Sequence, residues 1–350
     1  MQWINFAKIE VIYMIKINLS YNTDEKIKQG HKRDLFEKTN SIEDIKMHLT
    51  NLRNDGYKNF TNLFINTSWD VIDEKKIEKL LLLDSKKKFK EFIKDAEKAI
   101  NLDTLFTERN REKIKQDILG DNKNGFLKFY KNFSTRKWAF EFLQLLNCNV
   151  CPYCNRIYTF TVNSKNKCKP EFDHFFPKDE FPYLSISIFN LIPSCSFCNK
   201  GKSNASVDNE FNHKLIYPYE EGFEDENLQI KFSFESDNIN YLYGDFSDFK
   251  IKIKSKFIEN ENLMEEYNKN FKIDSLYSLH TDYVEEMLNK AIIYGGSMTK
   301  ELLEQYSEMF STQEEILKLV FGNYVEPKDF LKRPLSKLTH DLLEELGIYK

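Results

Sequence analysis

Apolar residues recur at helical spacing through the first part of the chain. Between about residues 24 and 147 they return every three or four positions with polar residues between them, which is the pattern of amphipathic helices. Ser41 and Asp44 are typical of a helix start. The Lys-rich segment from Lys86 to Ile100 has its lysines opposite an apolar face, so we interpret it as a solvated helix.

The pattern changes twice after residue 147. Residues 148–218 lose the helical period and concentrate Cys, Pro, His and aromatic residues. Alternation of apolar and polar residues at 230–234 and at 250–254 then predicts strands. Helical spacing returns near the C-terminus, where Ser311 and Glu314 predict a capping box at the start of a helix.

The length and composition indicate more than one packed unit. The chain has 350 residues, of which 41% are hydrophobic, and its 11 Gly and 8 Pro are too few for a collagen-like or broadly disordered protein. We predict an α+β protein in three regions. A mainly helical region at 1–134 has no predicted role, a small cysteine-bearing module lies at 135–218, and a mixed strand and helix region at 219–350 is expected to bind a partner or nucleic acid.

The overall charge offers no general attraction for nucleic acid. Lys and Arg number 51 against 55 Asp and Glu, a formal charge of −4, so any site for a polyanion must be local. No apolar run approaches the roughly 18–20 residues that span a bilayer.

The N-terminal segment is a poor signal peptide because Lys8, Glu10 and Lys16 interrupt its apolar run. The alternation of Ile15 and Ile17 with polar residues predicts a strand instead. We therefore expect a cytoplasmic protein whose thiols stay reduced.

Four of the six cysteines form two pairs with CxxC spacing. Cys151 and Cys154 make the first pair, and Cys195 and Cys198 make the second. Two such knuckles in a reduced chain are typical of a structural Zn²⁺ held by four thiolates, with no open position for water. The alternative is redox chemistry at Cys-Pro-Tyr-Cys, as in glutaredoxin-like proteins, but that chemistry needs only one pair and a different lead-in.

The segment between and after the knuckles carries a recognisable motif. It reads DHFFPK, then NLIPSC, then CNKGK, and with both knuckles it resembles the HNH (ββα-metal) endonuclease motif in its four-cysteine form. The resemblance covers residues 151–204 and implies a zinc-stabilised ββα-metal module. It also implies cleavage of phosphodiester bonds in nucleic acid, with DNA as the expected substrate and RNA or tRNA as the alternative.

The resemblance assigns roles to single residues. His174 matches the general base, and Asp173 a ligand of the catalytic metal. Asn190 matches the asparagine that orients the histidine, and Asn199 the second metal ligand. Asparagine at that last position favours a hard cation such as Mg²⁺, and Mn²⁺ is the alternative catalytic metal. These residue types suit the chemistry, since hydrolysis needs a base for water and a hard cation with oxygen ligands on the phosphate.

Phosphate contacts are expected from nearby lysines. Lys178 belongs to DHFFPK, and Lys202 follows Asn199 by three residues, hence on the same face of a helix. Segment 151–204 carries seven basic and four acidic residues, a charge of +3 in an acidic protein. The competing hypothesis is a non-catalytic zinc module that binds nucleic acid or a partner protein.

A wider resemblance extends to both sides of this motif. KWAFEFLQLLN, YPYEEGFED and RPLSKLTHDLLEELGI resemble segments of the Septu-type nuclease subunit of bacterial anti-phage systems. That resemblance implies a defence role and an ABC/AAA-like ATPase as partner. This chain has no Walker-type glycine loop, so ATP binding would have to come from the partner.

Overall fold

The computed structural model describes residues 15–349 except 40, 67, 104–109, 122–123, 163–164, 166–167, 206–215, 224, 226–228, 237–248, 256–260 and 296–297. The chain divides into two compact units, each assembled from separated segments. Unit 1 comprises Met1–Ile17, Cys148–Thr159 and Cys195–Lys350, and unit 2 comprises Asn18–Asn147 and Phe160–Ser194.

Unit 2 is mainly helical. Its helices are α1 (Tyr21–Phe36), α2 (Ser41–Asn54), α3 (Lys58–Asn62), α4 (Glu74–Leu81), α5 (Lys86–Leu102), α6 (Arg111–Leu119), α7 (Gly125–Thr135) and α8 (Lys137–Leu146). Ser20 and Ser85 cap α1 and α5, because their hydroxyls accept the N–H groups of Thr23 and Lys88. The strands are β1 (Ile65–Asn66), β2 (Val71–Ile72), β3 (Glu171–His174) and β4 (Leu191–Ser194).

The core of unit 2 is aromatic. Phe60, Phe89, Phe126, Phe129 and Phe133 are almost completely buried. The close approach of α1 to α8 requires glycine at position 30, where an added Cβ would lie 2.0 Å from Cη2 of Trp138. Trp138 in turn donates from its indole N–H to Nδ1 of buried His31.

Strands β3 and β4 form an antiparallel hairpin in unit 2. Phe172 pairs with Pro193, Asp173 with Ile192, and His174 with Leu191. Successive side chains of a strand point to opposite faces. Phe172 packs on Phe133 of α7 at 5.7 Å between ring centroids, whereas Asp173 lies on the opposite face of the strand.

Unit 1 mixes helices with one hairpin. β5 (Ile230–Ser236) pairs with β6 (Phe249–Ser255) in antiparallel register. The helices are α9 (Ser196–Ala205), α10 (Glu261–Phe271), α11 (Ile273–Tyr277), α12 (Thr281–Tyr294), α13 (Met298–Gln305), α14 (Gln313–Phe321) and α15 (Ser336–Glu345). Within the described ranges, no helix is long and apolar enough to cross a bilayer.

Two local predictions were wrong. Ile15 and Ile17 form no strand, since their N–H groups donate separately to Pro152 and Pro218 in two loops of unit 1. Helix α14 is capped one residue later than predicted, because the hydroxyl of Thr312 accepts the N–H of Glu315. The predicted helix at Lys86–Ile100 and both predicted strands after residue 229 are confirmed.

Candidate functional site: a four-cysteine cluster and the Asp173–His174 hairpin

The four paired cysteines converge in unit 1. The Sγ atoms of Cys151, Cys154, Cys195 and Cys198 all lie within 4.8 Å of one another, and all four residues are buried and free of disulfides. Cys154 and Cys195 bring their sulfurs to 4.0 Å. Tetrahedral zinc with Zn–S bonds of about 2.3 Å separates its sulfur ligands by roughly 3.8 Å. The cluster therefore has the donor set and size for one zinc ion.

Backbone hydrogen bonds shape the first knuckle. The Cys151 N–H donates to Ile157 O at 2.9 Å, and the Asn155 N–H donates to Cys151 O at 2.8 Å. Asn155 has a φ of 46°, a left-handed conformation that asparagine tolerates better than most residues. This turn directs both sulfurs of the knuckle towards one point.

Residues in the C-terminal part of unit 1 form hydrogen bonds with the same knuckle. The Asn155 side chain donates to Phe330 O at 2.7 Å and accepts the Lys337 N–H at 3.0 Å. Tyr277 donates its hydroxyl to Cys154 O at 2.6 Å, and Tyr267 donates to Tyr153 O. The segment RPLSKLTHDLLEELGI thus begins by packing on the turn that carries Cys154.

The electrostatics of the cluster suit a cation. Burial raises the pKa of the Cys151 thiol, whereas hydrogen bonds from the other three thiols lower the pKa of Cys195. Four sulfurs at this separation are stabilised together as thiolates only by a bound cation. A redox pair needs only its own two sulfurs, so the convergence of both pairs favours metal binding.

The remaining cysteines lie outside the cluster. Cys148 is buried, and burial raises the pKa of its thiol to about 12, so it stays protonated at neutral pH. Cys168 is exposed in unit 2. Neither belongs to the metal-ligand group found among the described residues.

Asp173 and His174 lie at the end of β3 in unit 2, and both are buried. Nε2 of His174 is 3.0 Å from Ser185 O. A carbonyl oxygen can only accept a hydrogen bond, so Nε2 carries a proton, and in the neutral form of the ring the lone pair lies on Nδ1. The hairpin therefore holds an imidazole in one defined tautomer.

Asn190 organises the connection between β3 and β4. Its side-chain oxygen accepts the Phe176 N–H at 2.8 Å, and its side-chain nitrogen donates to Phe176 O and Leu184 O at 3.0 Å each. Leu184 precedes Ser185, whose carbonyl oxygen accepts the hydrogen bond from Nε2 of His174. Asn190 thus acts on the histidine through the loop.

Tyr130 of α7 was not singled out from the sequence. Its ring meets the His174 ring edge-on at 4.5 Å between centroids. Burial, together with the negative charges of Asp173 and Glu171, raises the pKa of Tyr130 to about 12, so its hydroxyl remains a donor. No sequence signal separates it from the aromatic residues that α7 buries in the core.

The other predicted site residues are distributed over both units. Asn199 and Lys202 lie on α9 in unit 1, where the Asn199 N–H donates to Cys195 O at 3.0 Å and Lys202 is buried. Lys178 follows β3 in unit 2 and pairs with Asp179 at 3.3 Å.

A second group of potential ligands lies on α15. His340, Asp341 and Glu344 bring one ligand atom each within 4.8 Å of one another. Lys337 binds Asp341 at 2.5 Å, and Lys231 binds Glu344 at 2.6 Å. Because both carboxylates already bind lysines, we interpret this group as an ion-pair network that joins β5 to α15.

Two known proteins are similar to part of this chain. It is 35% identical over 69 residues to protein ea31 of Escherichia phage lambda, which covers 20% of this chain and 20% of that protein. It is 30% identical over 96 residues to Septu protein PtuB of Bacillus thuringiensis, which covers 23% of this chain and 35% of that protein. The chain thus spans between a fifth and about a third of the length of these relatives.

No family model matches the chain, and no solved structure matches it. The comparisons therefore support a distant relationship to a Septu protein over about a quarter of the chain.

Proposed function

We propose that this protein is a metal-dependent HNH endonuclease that hydrolyses phosphodiester bonds in nucleic acid. The observation that carries the proposal is the β3–β4 hairpin, which holds His174 in the Nε2-protonated form beside Asp173. A neutral imidazole with a defined lone pair is suited to remove a proton from water. The motif order around the four cysteines supports the same function.

His174 is proposed as the general base. It accepts the proton of the attacking water at Nδ1, while the bond from Nε2 to Ser185 O keeps the ring from rotating. The hydrogen bond from Nε2 to Ser185 O is retained when the ring becomes an imidazolium. Asn190 is proposed as a positioning residue, since it holds the loop that carries Ser185.

Asp173 and Asn199 are proposed as oxygen ligands of a catalytic Mg²⁺ or Mn²⁺ because of their positions in the motif. Carboxylate and amide oxygens are the ligands that such hard cations prefer. A cation bound there would offset the charge on the leaving 3′ oxygen. Lys178 and Lys202 are proposed as phosphate contacts on the same basis.

The similarity to Septu protein PtuB supports a role in anti-phage defence. We propose that the chain acts with an ATPase partner and cleaves DNA, with RNA or tRNA as the alternative substrate. The formal charge of −4 predicts weak capture of nucleic acid by the isolated chain. Activity is therefore expected to depend on the partner.

The alternative is a zinc module that binds nucleic acid or a protein without cleaving it. Such a module has no need for a histidine held in one tautomer, nor for Asp173 beside it. Cleavage that depends on His174 separates the two functions.

The test compares the zinc-loaded wild type with His174→Ala, each with its ATPase partner, on plasmid DNA, single-stranded DNA and tRNA. A general base contributes about 10²–10⁴-fold to the rate, so His174→Ala should reduce Mg²⁺-dependent cleavage by that factor without changing zinc content. His280→Ala, outside the hairpin, serves as the matched control and should cleave normally. Cleavage by His174→Ala at the wild-type rate would contradict the proposed base.

A further inference from the structure

Unit 2 contains a groove lined by lysines from three helices. Lys28 and Lys32 come from α1, Lys75 and Lys79 from α4, and Lys88 from α5, and these five residues define the lysine groove. The groove has a volume of about 540 Å³. We infer that the lysine groove binds the phosphate backbone of a nucleic acid, which deepens the proposed function by naming the surface that captures the substrate.

The groove keeps a positive charge after its internal ion pairs are counted. Only two acidic residues line it, against five lysines. Asp84 lies between Lys28 at 2.8 Å and Lys88 at 2.6 Å, and Glu78 pairs with Lys32 at 2.9 Å. Asp24 of α1 also pairs with Lys28, at 2.6 Å, so three carboxylates balance Lys28, Lys32 and Lys88. The net positive charge of the groove therefore comes from exposed Lys75 and Lys79 on α4.

Two further features add to this positive potential. Helix α5 begins at the groove with Lys86, Lys87 and Lys88, and its first turn has no acidic residue. The N-terminal end of a helix also carries the positive end of the helix dipole. Unit 2 as a whole has 30 Lys and Arg against 25 Asp and Glu, a formal charge of +5. A polyanion is therefore attracted to this unit within an otherwise acidic chain.

The groove contacts the connection between β3 and β4, which also forms the hydrogen bond with His174. The Lys28 ammonium lies 5.9 Å from the centre of the Phe189 ring. The Ser187 hydroxyl donates to Leu80 O of α4 at 2.8 Å. Ser185 lies two residues before Ser187, and its carbonyl oxygen accepts a hydrogen bond from His174 Nε2 at 3.0 Å. The β3–β4 connection therefore contacts both the groove and the proposed base.

A nucleic acid suits this surface better than an acidic protein segment does. Lysines on three helices provide repeated point charges along an open groove, and the proposed chemistry in the same unit acts on phosphodiesters. Binding that neutralises phosphates releases counterions, so affinity should fall steeply with salt.

The test measures binding of fluorescent duplex DNA, single-stranded DNA and tRNA to the zinc-loaded full chain, without Mg²⁺ so that no cleavage occurs. The combined variant Lys75→Gln, Lys79→Gln and Lys88→Gln should weaken binding at least about tenfold at low salt. It should also lower the slope of log K against log salt by about 2 to 3, since each lost phosphate contact removes nearly one unit.

The matched control replaces Lys58, Lys98 and Lys113, which are equally exposed in unit 2 but do not line the groove, with glutamine. It should bind like the wild type, and arginine at positions 75, 79 and 88 should restore binding. Equal losses in both glutamine variants would overturn the inference. Poly-glutamate that binds the groove more tightly than every nucleic acid would overturn it in favour of an acidic protein.

Hydrolysis of bis(p-nitrophenyl) phosphate, measured with Mg²⁺ and with the ATPase partner present, separates this inference from the proposed function. That substrate is too small to need the groove, so the groove variant should hydrolyse it at the wild-type rate. One outcome is that the wild type fails to hydrolyse this substrate while the groove variant, unlike the control variant, binds nucleic acid more weakly. In that case the nuclease proposal fails and the inferred binding surface is supported.

Discussion

Unit 1 carries 21 Lys and Arg against 30 Asp and Glu, a formal charge of −9, whereas unit 2 carries +5. Their interiors differ as well. Unit 1 surrounds four cysteines with tyrosines that bond to the knuckle backbone, and unit 2 packs phenylalanines from several helices. The comparison separates two sources of stability: a cysteine cluster that could hold a metal ion in an acidic unit, and apolar packing in a basic one.

The difference also bears on the proposed nuclease. The cysteine cluster and α9 belong to the acidic unit, while the hairpin with Asp173 and His174 belongs to the basic one. A surface for nucleic acid is physically more reasonable on unit 2, because a charge of −9 repels a polyanion. Experiments that affect one unit at a time therefore test the comparison directly.

The largest expected effect follows from loss of the metal. Cys195→Ser should release zinc and remove amide protection in unit 1, because structural zinc binding contributes about 10–16 kcal/mol in small modules. Helices α5 and α8 of unit 2 should stay protected. Metal analysis with hydrogen exchange measures both results, and Cys168→Ser, an exposed cysteine outside the cluster, is the matched control. Unchanged zinc content in Cys195→Ser would contradict the assignment.

A smaller effect concerns pH and unit 2 alone. Burial lowers the pKa of His31 from 6.5 to about 4, and the nearby Arg136 charge acts in the same direction. Between these values the unfolded chain binds a proton that the folded unit does not. Stability from this residue is therefore complete above pH 6.5 and falls as the pH decreases towards 4, by about 3 kcal/mol.

The measurement is hydrogen exchange of α1 and α8 at pH 7 and pH 5. His31→Gln should flatten the pH dependence while lowering stability at both values, since it loses the bond to Ile186 O. A wild-type unit 2 that is equally stable at both pH values would show that His31 does not titrate as stated.

The smallest effect compares one glycine from each unit. Gly30→Ala would place its Cβ 2.0 Å from Trp138 in unit 2, and Gly201→Ala would place its Cβ 2.6 Å from Asn270 O in unit 1. Each should destabilise its own unit by about 1–3 kcal/mol through overpacking. Hydrogen exchange resolved by segment distinguishes them. Equal loss of protection in both units from either variant would contradict the separation of the units.

Local sequence patterns predicted individual elements well. The lysines opposite an apolar face at Lys86–Ile100 predicted a helix that the structure confirms as α5, because this pattern depends on residues only a few positions apart. The capping box near Ser311 was placed one residue early, since Thr312 beside it offers an equivalent hydroxyl. The isolated Ile15 and Ile17 were misassigned because alternation alone does not supply a pairing partner.

The sequence by itself determined the cysteine cluster, since two CxxC pairs in one reduced chain have few other arrangements that satisfy four buried sulfurs. It also pointed to Asp173, His174 and Asn190 through their order. The tertiary structure decided what lies beside them. Tyr130 contacts His174 from helix α7, Ser185 accepts the hydrogen bond of His174 Nε2, and five lysines between positions 28 and 88 line one groove. Such contacts join positions far apart in the chain. Local sequence patterns do not predict them, because they form only when the helices and strands pack together.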